Sequence, residues 1–427
     1  MISANLDQVS SGMPESGRGQ SDVILPAHPQ STTITPARQT GRMPHPAAAL
    51  GTKEERALAT RKVCLLSSVR KATEHRILWK EGQSLRRAGY AVTIVASHPQ
   101  DEVIAGINIR ALPEFKSRLS RMVGKTWRIY REAMRQRADV YHLQDPELIP
   151  AGLLLKARGK RVLYDVREDV PADLRDKHYL PRWIRPAVAR AADVAEKIAG
   201  RAFDGVVAVT PHIRDRFPRR NSILVQNFPV LDEALPPSLP YAQREPLVIY
   251  VGSISPVRGI PELVKAMGLL PRSMEARLAI GGEFVPASME QEVRALPGWE
   301  RTQYLGWQER EGLLDLLSRA RVGAIPLHLT VNHAESQPIK LFEYMLAGLP
   351  VVAFHLPRTT EIMEESGCGI VVEPGNTRKL AEAIQWLLEN PVEAEAMGKR
   401  GREAVLKTYN WNTQATRLLE LYSRITA

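Results

Sequence analysis

Cysteine is nearly missing from this chain: Cys64 and Cys368 are the only two among 427 residues. They stand far apart, each in an apolar stretch, so no disulfide framework organises the fold, and both are predicted to be reduced core thiols. Long hydrophobic runs are missing too. None approaches the roughly 20 apolar residues that a membrane-crossing helix needs. The first residues lack the basic-then-apolar pattern of a secretory signal. There is no Gly-x-Ser-x-Gly turn, no catalytic pairing of Cys with His, and no nucleic-acid recognition module. His98, His212, His328, His333 and His355 show no metal-ligand spacing. Acid is the scarcer charge, with 47 Asp and Glu against 58 Lys and Arg, a net charge of +11. That balance favours acidic partners such as nucleotide phosphates or an anionic membrane surface.

What is present is rhythm. Residues 1–60 are rich in Ser, Pro, Gly, Thr and Gln, and are predicted to be a disordered tail, because they bury too little to offset the entropy of ordering. From 61 onward, short apolar strands alternate with helical stretches: Val63–Ser68, Ala91–Ala96, Val140–Leu143, Arg161–Val166 and Gly205–Val209 are examples. Strands that are apolar throughout and separated by helices mean a parallel sheet covered on both faces. A Pro-rich polar segment, 229–246, divides the first such domain (61–228) from a second (247–408), and 409–427 reads as a closing helix able to cross back to the first. The predicted class is α/β, with two Rossmann-like, doubly wound parallel-sheet domains facing each other across a cleft. Ligands of such sheets sit beyond the carboxyl ends of the strands.

The most informative stretch runs from Glu335 to Pro350. Pro338 suits the first turn of a helix because it lacks the amide hydrogen that a helix start leaves unsatisfied. Gly348 closes that helix, Ile339, Phe342, Met345 and Leu346 are predicted to face the core, and Lys340 and Glu343 lie one turn apart. A helix start favours a phosphate. Three strand-to-helix loops add to it. Gly252 and Ser253 let backbone approach a phosphate, with Arg258 in the same loop able to grip it; Gly281 and Gly282 follow the next strand; Leu305 and Gly306 can edge a base, with Trp307 as a stacking face. Together these suit a nucleotide-sugar.

On these residues the sequence resembles the retaining GT-B glycosyltransferases of the large family 4. The likeness rests on Tyr250–Ile254, Leu305–Trp307, Glu335 with seven residues before Glu343, and Phe342–Val352. In the first domain, His142–Leu148 and Tyr164–Pro171 look like the acceptor-domain motifs of bacterial polysaccharide-assembly members. The resemblance implies that Glu343 holds the ribose hydroxyls and Glu335 meets the donor sugar. It also implies that Arg258 and Lys340 neutralise the leaving diphosphate, and that the reaction needs no bound metal or other cofactor, the nucleotide-sugar being a substrate. It places His142, Gln144, Asp145, Arg167, Glu168 and Asp169 on the acceptor side. It implies a cytoplasmic transferase acting on a glycan or lipid-linked acceptor in exopolysaccharide, capsule or lipopolysaccharide assembly.

The chain departs from the family pattern at four positions, the first being Arg258, where a lysine is usual. Ser253 stands where an arginine is common, and Gln144 and Arg167 where histidines are common. Glutamine does not titrate and arginine stays protonated, so neither serves as a base; Asp145, Glu168, Asp169 or the leaving phosphate would have to. A nucleotide-sugar epimerase of the same fold and a non-catalytic nucleotide-sugar-binding subunit are the alternative readings. One further feature stands apart. The stretch 118–137 carries an apolar stripe that includes Thr126, Trp127, Tyr130, Ala133 and Met134. Its other surfaces carry Arg118, Arg121, Lys125, Arg128, Arg131 and Arg135. With the basic-aromatic stretch 180–185, it forms a candidate contact with anionic membrane.

Overall fold

Strands with no polar face have to be covered twice, and the computed structural model shows how. It describes residues 61–113, 124–176, 180–231, 239–330 and 337–427; the expected tail, 1–60, and residues 114–123 of the basic stretch lie outside them. The first sheet contains β1 (Lys62–Lys71), β2 (Ala91–Ser97), β3 (Glu102–Ile104), β4 (Ile107–Leu112), β5 (Val140–Leu143), β6 (Arg161–Val166), β7 (Gly205–Ala208) and β8 (Ser222–Leu224). Their order is β3-β4-β2-β1-β5-β6-β7-β8, parallel except for β3 against β4. A π-helical run, Arg76–Gly82, leads into α1 (Gln83–Arg87). After it come α2 (Thr126–Gln136), α3 (Ile149–Ala157), α4 (Val170–Asp176), α5 (Arg185–Ala202) and α6 (Pro211–Asp215).

The second sheet is built the same way from β9 (Leu247–Val251), β10 (Arg277–Gly281), β11 (Thr302–Gly306), β12 (Val322–Ile325), β13 (Val351–Phe354) and β14 (Gly369–Val372), in the order β11-β10-β9-β12-β13-β14. Its helices are α7 (Ile260–Leu269), α8 (Met289–Arg294), α9 (Arg310–Arg319), α10 (Ile339–Leu346), α11 (Pro357–Ser366), α12 (Thr377–Glu389) and α13 (Pro391–Lys407). In each sheet the strand order reverses beside the first strand, between β1 and β5 and between β9 and β12. At such a reversal two successive loops diverge and leave a crevice.

The last helix, α14 (Trp411–Thr426), belongs by contact to the first sheet. Trp411, Leu418, Leu421 and Tyr422 are buried in one apolar cluster with Val63, Leu65, Leu78, Ile94 and Val207. The backbone amide of Trp411 donates to the Pro229 carbonyl at 2.7 Å, and its indole donates to Ser84 Oγ at 2.9 Å. Both cysteines are buried and free, and burial pushes the Cys64 thiol far up. No helix among the described residues is long and apolar enough to cross a membrane.

Candidate functional site

Helix α10 is closed as its sequence asks. Gly348 takes φ +69°, its amide returns to the Met345 carbonyl, and the Leu349 amide returns to Tyr344, which is a Schellman ending. Its start differs by one residue: Pro338 caps the helix in extended conformation instead of sitting in the first turn. The packed face also differs. Phe342, Met345 and Leu346 are buried as expected, but Ile339 is 41% exposed, and Leu341 and Tyr344 are fully buried. Tyr344 wins its place because it lies under the glycine of β12, where a Cβ on Gly323 would come within 2.3 Å of the ring.

The loops that follow β9, β10 and β11 are tied to one another by backbone. Gly252 N donates to Gly281 O at 2.8 Å, Gly282 N to Gly306 O at 2.6 Å, and Ile254 N to Glu283 O at 2.9 Å. The approach is so close that a Cβ on Gly282 would lie 2.0 Å from the Gly252 carbonyl oxygen, so glycine is required there. Gly252 leaves room for the Lys340 amine, which would be 2.9 Å from a Cβ in its place.

Lys340 and Glu343 rise into this cluster from α10. The Lys340 Nζ sits 3.8 Å from the centre of the Tyr250 ring. Burial pushes its pKa down to about 7, Arg258 pushes the same way, and Glu343 opposes them. Arg258 itself is half-buried, and its guanidinium makes no hydrogen bond or ion pair among the described residues. Ser253 is exposed, with its carbonyl held by the Tyr250 hydroxyl at 2.7 Å. Glu343 accepts from Arg310 Nη1 of α9 at 2.9 Å, a partner with no local sign in the sequence. Trp307 is 66% exposed and donates to Glu309, while the Leu305 carbonyl accepts from Gln308 Nε2 at 2.8 Å. Gly252, Gly282, Gly306, Arg258, Lys340 and Glu343 are thereby brought to one end of the second sheet. Glu335 lies outside the described residues.

The acceptor-side residues occupy a different environment. His142, Gln144, Asp145 and Asp165 are all buried at the carboxyl ends of β5 and β6. Gln144 donates to Glu81 Oε2 at 2.8 Å and accepts from Arg167 Nη2. Arg167 also donates to Asp165 at 3.0 Å and Glu74 at 3.1 Å. Arg76, buried, donates from Nε to Asp165 Oδ2 at 3.0 Å and lies 2.8 Å from Glu81. Burial pushes Asp165 up, but Arg76 and Arg167 outweigh it and hold the carboxyl well below its usual range. Glu81 goes the other way: burial and the nearby Asp165 charge raise it to about 8, so it stays protonated at neutral pH. His142 is depressed to about 4, mainly by burial, and its Nδ1 meets the Tyr422 hydroxyl of α14 at 2.9 Å.

Asp145 is occupied as well. Its Oδ2 takes hydrogen bonds from Ser67 Oγ and Ser68 N, both at 2.7 Å, and from Val69 N at 3.2 Å, which fixes the loop after β1. Asp169 accepts from Ala172 N at the start of α4, from Arg216 and from His212. Glu168 alone points outward, with its carboxylate 67% exposed and 3.5 Å from Arg70. Glu81, His142 and Asp165 bring ligand-type atoms within 4.8 Å of one another. The Arg76 guanidinium already lies against both carboxyl groups and supplies the positive charge such a group of atoms would attract. On the basic helix, Trp127 is 53% exposed and stacks on buried Tyr130, so it leaves the packed stripe, where Ile129 takes a buried place. Lys125 leaves the basic face and turns inward to Ser97 Oγ.

Comparison with known proteins matches both halves. The glycosyl transferase 4-like domain corresponds to residues 76–224, and the glycosyl transferases group 1 domain to residues 232–404. Glycogen synthase of Mycobacterium tuberculosis is 22% identical over 248 residues, covering 56% of this chain and 59% of that protein. The chain therefore spans under two thirds of that relative. Sucrose-phosphate synthase from Thermosynechococcus elongatus superposes with a TM-score of 0.69 at 20% identity, over 86% of this chain and 99% of that one. Anabaena HepE, solved with UDP-glucose, gives 0.65 at 15% identity, over 85% and 99%. At these identities the structures share the fold.

Proposed function

Starting from a chain that belongs to the group 1 glycosyltransferases, with a 4-like first domain and the GT-B fold, we propose that it moves a sugar from a nucleotide-diphosphate sugar to a glycan or lipid-linked acceptor, with retention of anomeric configuration. The observation that carries this reading is the meeting of three glycine loops with Arg258, Lys340 and Glu343 at the carboxyl ends of β9–β11. The diphosphate lies against Gly252, Gly282 and the start of α10, where backbone amides and two cations stabilise the charge that develops as it leaves. No metal is required for that step. Lys340, only partly protonated at neutral pH when the site is empty, recovers its full proton when the anion arrives. Glu343 holds the ribose hydroxyls, with Arg310 fixing its carboxylate, and Glu335 meets the donor sugar. UDP-glucose in the HepE structure supports a nucleotide-sugar as donor.

The acceptor hydroxyl loses its proton to an oxygen of the departing diphosphate. Supporting this, Gln144 does not titrate, Arg167 is held by two carboxylates, and Asp145 already accepts from the loop after β1. A role in bacterial surface-polysaccharide assembly at the cytoplasmic face of the membrane fits exposed Trp127, next to Arg128, and exposed Trp183, between Arg182 and Arg185. The test is thermal stability against a panel of UDP-, GDP-, ADP- and dTDP-sugars. One of them should raise the melting temperature, and Glu343→Ala should abolish the rise. Indifference to the whole panel overturns the proposal, and conversion of the donor without any acceptor assigns an epimerase instead.

A further inference from the structure

Parallel strands that send their carboxyl ends to the site leave their amino ends on the far side of the molecule. There, the second half of α14 crosses the start of β8, and a cavity of about 530 Å³ opens between them. It is lined by Arg214 of α6, by Arg417, Glu420, Leu421 and Arg424 of α14, and by all of β8, Ser222 included. Positions 417, 420 and 424 fall on one helical face. Among the described residues, none of the three guanidiniums pairs with a carboxylate. Two polar atoms of the lining are also unspent: Ser222 Oγ, in a residue 4% exposed, and Arg214 Nε are buried without any hydrogen-bond partner. Orphaned buried donors of this kind cost stability unless something satisfies them.

We propose that this cavity is a second binding site, for a phosphate monoester carried on a sugar-sized body. Three guanidiniums against one carboxylate leave an excess of two positive charges, which matches a dianion. The volume lies within the range of small-molecule sites, roughly 300–1,000 Å³. A nucleic acid would want aromatic faces for its bases, and none lines the cavity. A membrane would meet exposed groups on a convex surface, whereas this lining is concave and two of its unpaired polar atoms, Ser222 Oγ and Arg214 Nε, are buried. The ligand also has a route to the acceptor side. Leu421 lines the cavity, and its neighbour Tyr422 reaches His142 from the same helix. Occupancy braces the turn that carries this contact.

The test uses the full chain and calorimetric titration with glucose 1-phosphate, inorganic phosphate and, separately, sedimentation with anionic phospholipid vesicles. Glucose 1-phosphate is expected to bind saturably and more tightly than inorganic phosphate. Arg417→Ala with Arg424→Ala, both at exposed helix positions, should weaken it about tenfold or more. The nucleotide-sugar stabilisation described above is read in the same samples and should not change, which separates this site from the donor site. Ser222→Ala should weaken binding by a smaller factor with the fold intact. No binding at millimolar concentration, or binding that survives the double substitution, overturns the proposal. So does inorganic phosphate binding as tightly as the ester, or vesicle sedimentation that alone depends on the two arginines.

Discussion

The two crevices of this molecule solve the problem of charge in opposite ways. At the end of the second sheet, loops are drawn together by glycine and backbone, and the charged groups are few and largely unspent: the Arg258 guanidinium has no partner among the described residues, and burial leaves Lys340 only partly protonated at neutral pH. At the end of the first sheet, Asp165 and Glu74 neutralise Arg76 and Arg167 in the interior, with protonated Glu81 against them. One crevice waits for a ligand's charge, and the other has supplied its own. Desolvating a charge is tolerable only when a partner is built in. The first crevice has accordingly become part of the core, while the second keeps its electrostatic energy for what binds there.

The sharpest way to break this contrast is to remove one charge from each side. Asp165→Ala leaves Arg76 and Arg167 short of a partner in the interior and should cost about 3–5 kcal/mol in denaturant unfolding. Arg258→Ala should change stability by less than about 0.5 kcal/mol, while nucleotide-sugar affinity drops. Equal losses in the two variants would dissolve the distinction. A second effect is a pH dependence. Glu81 has a folded-state pKa of about 8 against an ordinary 4.5, so the folded protein holds a proton that the unfolded chain has released. The stability this gives is complete below about 4.5 and is lost as pH rises to about 8. Wild type should therefore lose stability relative to Glu81→Gln between those values, as melting curves across the window will show. A parallel pair of curves would mean that Glu81 is ionised throughout. The smallest effect lies on the other side. With Lys340 near 7 when empty, nucleotide-diphosphate binding at pH 8 should take up most of one proton, measured by calorimetry in buffers of different ionisation heat, and Lys340→Met should remove the uptake.

Much of the second crevice was legible in the sequence because its determinants are local. Gly252 and Gly282 each follow an apolar strand directly, Gly306 ends the next strand, and Lys340 and Glu343 sit one helical turn apart, so adjacency along the chain reports adjacency in space. The first crevice was not. Gln144 and Arg167 read as substitutions that remove a base, and the structure shows them instead as members of a network closed by Arg76 and Glu81, residues about 60 to 90 positions away. Nothing in the helix-forming stretch around Arg76 marks it as interior, because a buried charge is made tolerable only by partners brought by other strands. The same limit explains Arg310, whose contact with Glu343 spans 33 positions. It explains Lys125 as well, which sequence periodicity put on a basic face and tertiary contact turned inward.

The return of α14 has a consequence for synthesis. Translation delivers the first sheet early, yet Trp411, Leu418, Leu421 and Tyr422, which complete one of its two apolar faces, are made only after the whole second domain. Until the second domain has left the ribosome, Val63, Leu65, Ile94 and Val207 have no complete cover, and the nascent chain presents that flank to its surroundings. The first domain is therefore begun before the second and completed after it, when α14 emerges and packs against it.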